Sequence, residues 1–160
     1  MTSITPFLWF EDELEEAMDF YVSLFGDSAV INVNRFPDGT GGSPGKVAMA
    51  TFRLAGQEIM GLNGGHAHRL TPAFSFFVSC EDQVEVDRIW DALCADGGEP
   101  GSCGWLVDRF GLSWQVIPTA LGRLMGDPDP ERAGRVLQAM LAMSKIDVAG
   151  LVAAYDGVPR

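Results

Sequence analysis

The chain has 160 residues, 47% of them hydrophobic and 21% charged, so it can bury the core of one domain but is too short for two ordinary ones. Its net charge is -11 and Lys and Arg form no cluster, which argues against binding to nucleic acid or to an anionic membrane surface. No apolar run approaches the roughly 20 residues that span a bilayer, and the first residues do not read as a signal peptide. The three cysteines include no CxxC pair and are expected to be free thiols in the cytoplasm.

The first half of the chain reads as a strand, a helix and three further strands. Ile4–Phe10 is apolar and alternating, which predicts a strand. Asp12 is expected to cap the following helix, with Glu15 completing a capping box and Gly26 ending the helix. Three antiparallel strands are then expected, separated by Gly-containing turns. They are Ala29–Phe36, Lys46–Leu54 and Gln57–Asn63.

The second half repeats this order. Phe74–Cys80 predicts a strand, and Asp82 with Glu85 predicts the capped start of a second helix. A shift of 69 residues places the apolar stripe of the first helix on that of the second. The matched pairs are Ala17 with Val86, Phe20 with Ile89, Tyr21 with Trp90, Leu24 with Leu93, and Phe25 with Cys94; Asp27 falls on Asp96. Further strands are expected at Gly104–Arg109 and Leu112–Pro118, with a weaker one near Pro100–Ser102, so we interpret the chain as a duplication.

The C-terminal tail has no counterpart in the repeat. Pro130 after Asp129 predicts the start of one helix, and Asp147 the cap of another that ends at Gly157. These helices are expected to pack over the sheet or between subunits. The predicted architecture is α+β: residues 1–122 form one domain of two paired βαβββ modules, about 1–66 and 70–120, around a cupped sheet, and residues 127–157 form a helical extension.

Several motifs, in this order along the chain, are typical of one protein family. They are Phe10–Asp12, Ala17–Gly26, Leu62–Gly65, Thr71–Val78, Cys103–Leu106, Gly111–Val116 and Met140–Asp147. On these motifs the chain resembles the vicinal-oxygen-chelate proteins (the glyoxalase, bleomycin-resistance and dioxygenase superfamily). Within it the chain resembles the PhnB-like branch, often labelled a 3-demethylubiquinone-9 3-methyltransferase domain. The resemblance implies two βαβββ modules whose cupped sheet encloses a pocket, and usually a homodimer.

The resemblance also implies where a metal would bind. Enzymes of the superfamily hold a divalent metal with about four side chains from the first and last strands of the modules. The matching positions here are Thr5 and Ser75 on the first strands, Gln115 on the last strand of the second module, and Ile59 or Met60 on that of the first. Hydroxyls are poor neutral ligands, and Ile or Met supplies no hard donor. We therefore expect no metal and no other cofactor, and we assign no catalytic residue.

Strand alternation predicts which side chains face the interior of the cup. If Thr5 points inward, Phe7 and Trp9 do so too, and Trp114 points outward to the helices. Two interpretations stay open: the aromatic side chains only fill the cup, or they line an apolar pocket with a few neutral hydrogen-bonding groups. Asn63 is either such a group or a turn residue bonded to its own backbone. The predicted ligand-binding residues are Thr5, Phe7, Trp9, Asn63, Ser75, Phe77 and Gln115.

Other motifs are better explained without a site. His66 and His68 could chelate a metal, but no nearby carboxylate or thiolate completes the set, so a solvated loop is favoured. The loop 40–47 resembles a phosphate loop only superficially, because residues required by that motif are replaced. The carboxylates in 11–16 suit the N-terminus of a helix. Methyl transfer would usually need a Gly-rich turn after the first strand, and Glu11 follows that strand directly.

Two classes of function remain open from the sequence. The first is a metal-independent protein that binds a small, largely apolar or aromatic molecule in the cup. The second is an enzyme of the same superfamily with an atypical metal site, with methyl transfer, which the family label suggests, less favoured. A homodimer is expected in either case, because an apolar stripe of the tail would otherwise be exposed. The stripe consists of Leu137, Met140, Leu141 and Met143.

Overall fold

The computed structural model describes residues 1–39 and 43–158, and the chain divides into two compact units, Met1–Leu70 and Thr71–Arg160. Each unit contains a strand, a helix and three more strands, which confirms the α+β class and the two βαβββ modules. Part of the loop that was compared with a phosphate loop, residues 40–42, lies outside the described residues. Within the described ranges no helix is long and apolar enough to cross a membrane.

The first unit is a four-stranded sheet with one helix. Its strands follow the order β1-β4-β3-β2, in which β1 and β4 are parallel and the other neighbours are antiparallel. The elements are β1 (Phe7–Phe10), α1 (Leu14–Leu24), β2 (Ala29–Arg35), β3 (Val47–Leu54) and β4 (Gln57–Asn63). The three predicted strands after α1 therefore all form, with ends that differ from the prediction by at most one residue.

Helix α1 packs on one face of this sheet. Alternation on β1 buries Leu8 and Phe10, while Phe7 and Trp9 lie on the other face. At Gly61 a Cβ atom would lie 2.8 Å from Cδ1 of Leu14, so a glycine lets the helix approach the sheet closely. The buried apolar residues of this core are Leu8, Phe10, Leu14, Ala17, Met18, Tyr21, Leu24, Val47, Ala50, Phe52, Leu54 and Ile59.

The expected cap of α1 is wrong. The residue before the helix is Glu13, and neither it nor Asp12 caps the helix with its side chain. Asp12 instead pairs with Lys46 at 2.7 Å. The free N–H of Leu14 donates to Oδ1 of Asn63 at 2.9 Å, so the helix start is satisfied from the end of β4. A capping-box pattern in the sequence cannot reveal a partner that lies 49 residues away.

The second unit repeats this arrangement and adds three helices. Its sheet order is β5-β8-β7-β6, with β5 and β8 parallel and the other neighbours antiparallel. The elements are β5 (Ser75–Cys80), α2 (Gln83–Cys94), β6 (Glu99–Pro100), β7 (Trp105–Val107), β8 (Ser113–Pro118), α3 (Thr119–Met125), α4 (Pro130–Leu141) and α5 (Val148–Asp156). Helix α2 has the predicted cap, because Oδ1 of Asp82 accepts from the N–H of Glu85 at 2.9 Å.

The duplication also appears in the backbone. Asp27 and Asp96, which the sequence shift aligns, both adopt a left-handed conformation, with φ values of 47° and 54°. Aspartate tolerates this region better than most residues. Each carboxylate pairs with an arginine of its own unit, Asp27 with Arg53 at 3.3 Å and Asp96 with Arg109 at 3.6 Å. The same turn geometry and the same ion pair support the interpretation of the chain as two copies of one module.

The tail helices pack within the second unit. Val136 of α4 and Leu151 of α5 are fully buried, in one cluster with residues of β8 and α3. Asp129 caps α4, and Gly157 ends α5 with a φ of 71°, as predicted. For Asp147 no side-chain cap bond to α5 forms.

The segment between α4 and α5 fastens the tail to the rest of the unit. The carbonyls of Met143 and Ser144 each accept a backbone N–H at 2.8 Å, from Cys103 and Gly104. Lys145 pairs with two carboxylates of α2, and Ile146 is fully buried. These contacts give a physical reason for the family-typical Met140–Asp147 motif: it joins the tail to the turn before β7 and to α2.

Candidate functional site

A groove on the second unit, which we name the α3 groove, has the size and lining of a small-molecule site. Its volume is about 730 Å³, within the range of ligand pockets. It is bounded by one face of the sheet, by α3 and by one side chain of α4. The lining residues are Phe77, Ser79, Cys103, Trp105, Gln115, Ile117, Pro118, Thr119, Leu121, Gly122, Arg123, Met125 and Met140.

Three side chains from neighbouring strands form the floor of the groove. Gln115 on β8 pairs in register with Phe77 on β5 and with Trp105 on β7. Residues paired in this way project from the same face of a sheet, so Gln115 leaves the sheet between two aromatic residues. Phe77 is 59% exposed, which is high for a phenylalanine and leaves most of its ring available for contact.

The wall of the groove comes from α3, which the sequence analysis did not predict. The helix begins directly after β8, and Leu121 and Leu124 bury their side chains in the tail core. Arg123 and Met125 remain exposed and line the groove together with Gly122. A pattern of apolar residues at positions 121, 124 and 125 was the available signal, but a helix of seven residues is too short for a reliable periodicity.

The charge of the groove contrasts with that of the chain. The chain carries 22 acidic residues, yet none of the residues that line the groove is Asp or Glu. Arg123 is the one charged side chain in this lining, and within the described part of the chain it takes part in no ion pair or side-chain hydrogen bond. Ser79, Cys103, Gln115 and Thr119 supply the neutral polar atoms. The groove is therefore apolar, with a few neutral donors and acceptors and one cation.

The positions that hold the metal in related enzymes are occupied by residues that do not suit one. In the second unit Nε2 of Gln115 donates to Oγ of Ser75 at 3.0 Å, so these two positions bond to each other. In the first unit Phe7 pairs with Met60 as Phe77 pairs with Gln115, which makes Met60, not Ile59, the counterpart of Gln115. A thioether and neutral hydroxyl and amide groups are a poor ligand set for a hard divalent ion.

The remaining histidines and cysteines offer no alternative centre. Nδ1 of His66 lies 2.9 Å from a carboxylate oxygen of Glu11, whereas His68 packs edge-on against Trp9. Over residues 1–39 and 43–158, no three His, Cys, Asp or Glu side chains are grouped closely enough to hold a metal. Burial raises the pKa of the Cys80 thiol to about 12 and also raises that of Cys94, so both thiols stay protonated and unreactive near neutral pH.

The seven predicted ligand-binding residues fall into two groups. Phe77 and Gln115 line the α3 groove, and Ser75 is bonded to Gln115. Thr5, Phe7, Trp9 and Asn63 belong to the first unit, in which Thr5 lies before β1 and Phe7 is exposed. Trp105 and the α3 residues of the groove are not among the predicted residues. The alternation of Gly104–Arg109 contained the signal for Trp105, but without the strand register its face was not determined.

In the first unit, Trp9 and Asn63 have structural partners. The indole N–H of Trp9 donates to the carbonyl of Gly65 at 2.9 Å. A Cβ at Gly64 would lie 2.1 Å from the Trp9 ring, so the glycine makes room for the indole. Asn63 bonds Leu14 through its oxygen and the carbonyl of Val47 through its nitrogen, at 2.9 and 2.8 Å. Its amide is thus used to join α1, β3 and β4, so Asn63 is not a turn residue bonded to its own backbone; its role in ligand binding stays a prediction.

We expect the purified protein to contain no stoichiometric transition metal. The reason is the set Thr5, Met60, Ser75 and Gln115, in which no side chain supplies an imidazole or carboxylate donor. Elemental analysis of protein purified without added metal is the measurement. One Mn, Fe, Ni or Zn per chain that disappears in Gln115→Ala would contradict the expectation; Gln57→Ala, which alters an exposed glutamine of the first unit, is the control.

Comparison with known proteins is consistent with this geometry. The profile of the family described as 3-demethylubiquinone-9 3-methyltransferase matches residues 2–117. A PhnB protein from Bacillus cereus, described with the same methyltransferase name, is 38% identical, with a TM-score of 0.69 over 74% of this chain and 100% of its own. Protein PA1353 from Pseudomonas aeruginosa is 20% identical, with a TM-score of 0.61 over 74% of this chain and 98% of its own.

A further similarity extends to a protein with a different name. The fosfomycin resistance protein FosX from Listeria monocytogenes is 16% identical, with a TM-score of 0.51 over 74% of this chain and 93% of its own. At this identity the likeness concerns the fold alone. No curated protein matches the chain.

Proposed function

The chain belongs to the PhnB-like 3-demethylubiquinone-9 3-methyltransferase family of the vicinal-oxygen-chelate superfamily, and we propose that it binds a small, largely aromatic molecule in the α3 groove without a metal. The observation that carries the proposal is the floor of the groove, where Gln115 lies in register between Phe77 and Trp105. A concave apolar surface with a few convergent polar groups is the usual form of a small-molecule site.

The chemistry of the groove favours binding over catalysis. Its neutral polar groups can orient a ligand by hydrogen bonds, and its aromatic side chains can contact a planar ring. Within the described lining no His, Asp or Glu is present to act as a general base. The family name describes a methyl transfer, but β1 is followed directly by Glu11 and the sheet of each unit is mostly antiparallel. Binding of S-adenosylmethionine usually uses a doubly wound parallel sheet with a Gly-rich turn, so we do not propose methyl transfer.

We expect Phe77→Ala to weaken the binding of a neutral aromatic probe about fivefold or more, since the exposed ring supplies much of the contact area. Cinnamamide, which is planar and uncharged, is a suitable probe, with an expected dissociation constant on the order of 0.1–1 mM for a ligand of its size. Gln115→Ala should weaken binding less, because one neutral hydrogen bond is lost. A ligand-observed NMR titration in the presence of EDTA measures both effects.

Phe74→Ala is the matched control for this titration. Phe74 is also exposed and lies in the same unit, before β5, but it does not line the α3 groove. Its loss should leave the affinity for cinnamamide unchanged. If wild-type protein shows no saturable binding, or if binding requires an added divalent ion, the proposed function is wrong.

We also propose a homodimer, in which only part of the predicted apolar stripe contacts the partner. Met140 and Met143 pack against the tail core of their own unit, whereas Leu137 and Leu141 of α4 remain exposed, at 36% and 54%. Two adjacent exposed leucines on one helix are the part of the predicted stripe still available for a partner. Light scattering at about 50 µM should give twice the chain mass of 17.3 kDa. Leu137→Lys with Leu141→Lys should then give the monomer mass; a wild-type monomer would contradict the proposal.

A further inference from the structure

The ligand class of the α3 groove follows from its single charge. Arg123 lines the groove, is exposed to solvent, and lies on α3 two residues before the helix ends. Over the described residues it has no carboxylate or carbonyl partner, whereas Arg35, Arg53, Arg109, Arg132 and Arg135 each contact a protein oxygen. A guanidinium left without a protein partner at the edge of an apolar groove is available to a ligand carboxylate.

The net charge of the rest of the molecule opposes the binding of an anion in the groove. The chain has a net charge of -11, so its overall field disfavours anionic ligands. A preference for an anion must therefore arise locally, from a cation that is closer to the ligand than the acidic residues are. The lining of the groove meets this condition, because within its described extent it contains Arg123 and no acidic side chain.

The aromatic floor indicates the shape of the rest of the ligand. Phe77 and Trp105 are attached to strands on either side of β8, so their backbones are about 10 Å apart. A planar ring placed over this floor can contact both aromatic side chains. A flexible aliphatic chain would make weaker contacts with two aromatic side chains than a planar ring would.

From these observations we infer that the α3 groove binds an aromatic carboxylate, with the ring between Phe77 and Trp105 and the carboxylate at Arg123. The inference rests on the proposed function and specifies its ligand class. A guanidinium can hold a carboxylate by two parallel hydrogen bonds, which also fixes the orientation of the ring. The neutral amide of Gln115 then contacts the ring substituents and not the charged end.

The test compares two probes that share a ring and differ in charge. Wild-type protein is titrated with cinnamate and with cinnamamide by ligand-observed NMR at low salt. Cinnamate should bind about fivefold more tightly than cinnamamide, since an ion pair between an exposed arginine and a carboxylate strengthens binding by up to roughly this factor. Arg123→Gln should bring the ratio of the two affinities close to one, and this ratio, not either affinity alone, is the readout. Arg123→Lys should retain part of the difference, because the charge remains but the two-bond geometry is lost.

Arg88→Gln provides the control for net charge. Arg88 is an exposed residue of α2 that does not line the groove, and its substitution changes the charge of the protein by the same amount. If Arg88→Gln and Arg123→Gln weaken cinnamate binding equally, or if wild-type protein binds the amide as tightly as the acid, the inference is overturned although the groove still binds ligands. If neither probe binds, the proposed function fails, and the two failures are thus distinguished.

Discussion

Asp108→Ala is expected to lower the free energy of unfolding by about 3–5 kcal/mol, because it removes the acceptor of three N–H groups, two of them in buried and one in a partly buried hydrogen bond. Asp108 is only 3% exposed and lies in the turn between β7 and β8. Its Oδ1 accepts the backbone N–H groups of Phe110 and Leu112 at 2.9 and 3.0 Å. Its Oδ2 accepts the indole N–H of Trp114 at 2.8 Å. One carboxylate therefore holds both the turn and the largest fully buried side chain of the unit.

Asp108→Asn separates the two roles. The asparagine oxygen can still accept the two backbone N–H groups, but its NH2 group would face the indole N–H of Trp114, another donor. We expect a loss of about 1–3 kcal/mol, measured by urea unfolding and circular dichroism. In a Trp114→Phe background the same substitution should cost less, because the opposing donor is absent. An equal cost in both backgrounds would contradict the predicted pairing. Asp156→Ala, which changes an exposed aspartate of α5 in the same unit, should have little effect.

The sequence predicted the modules well because their elements depend on local patterns. Alternation gave β4 as Gln57–Asn63 without error, and a capping residue with a correctly spaced glutamate gave the start of α2. The aligned aspartates of the repeat, Asp27 and Asp96, proved to share an unusual backbone conformation. Each of these signals lies within a few residues of the structure that it predicts.

The errors concern contacts between distant residues. The start of α1 is satisfied by Asn63, which no local pattern indicates. Helix α3 is held by burial of Leu121 and Leu124 against the tail, so its stability depends on helices that come later in the chain. The α3 groove was not predicted for the same reason, since α3, which forms its wall, is held in place by contacts with the tail helices.

The candidate site was predicted in part. Alternation placed Phe77 and Gln115 on one face of their strands, and both line the α3 groove. It could not show that Trp105 lies beside Gln115, because strand register is set by pairing and not by composition. Nor could it show that Arg123 would lie at the groove without a protein partner, since this depends on where every acidic side chain of the unit comes to rest.

Trp114→Ala is expected to lower the free energy of unfolding by about 3–5 kcal/mol and to leave the binding site intact. Trp114 is 1% exposed, packs against Phe76 with ring centroids 5.2 Å apart, and bonds Asp108. It precedes Gln115 on β8 and so lies on the opposite face of the sheet from the groove floor. Its removal leaves a large cavity beneath α2 and takes away the indole N–H that Oδ2 of Asp108 accepts.

The companion substitution on the other face should have the reverse effect. Trp105 is partly buried and lines the α3 groove, so Trp105→Ala should weaken cinnamamide binding about tenfold with a smaller loss of stability. Because Trp114→Ala could unfold the protein, Trp114→Phe serves for the affinity measurement: it keeps a six-membered aromatic ring and removes the indole N–H together with part of the bicyclic ring. Urea unfolding and NMR titration of the variants give both quantities. If Trp114→Phe abolished binding in folded protein while Trp105→Ala did not weaken it, the ligand would have to contact the helical face of the sheet, between β8 and α2.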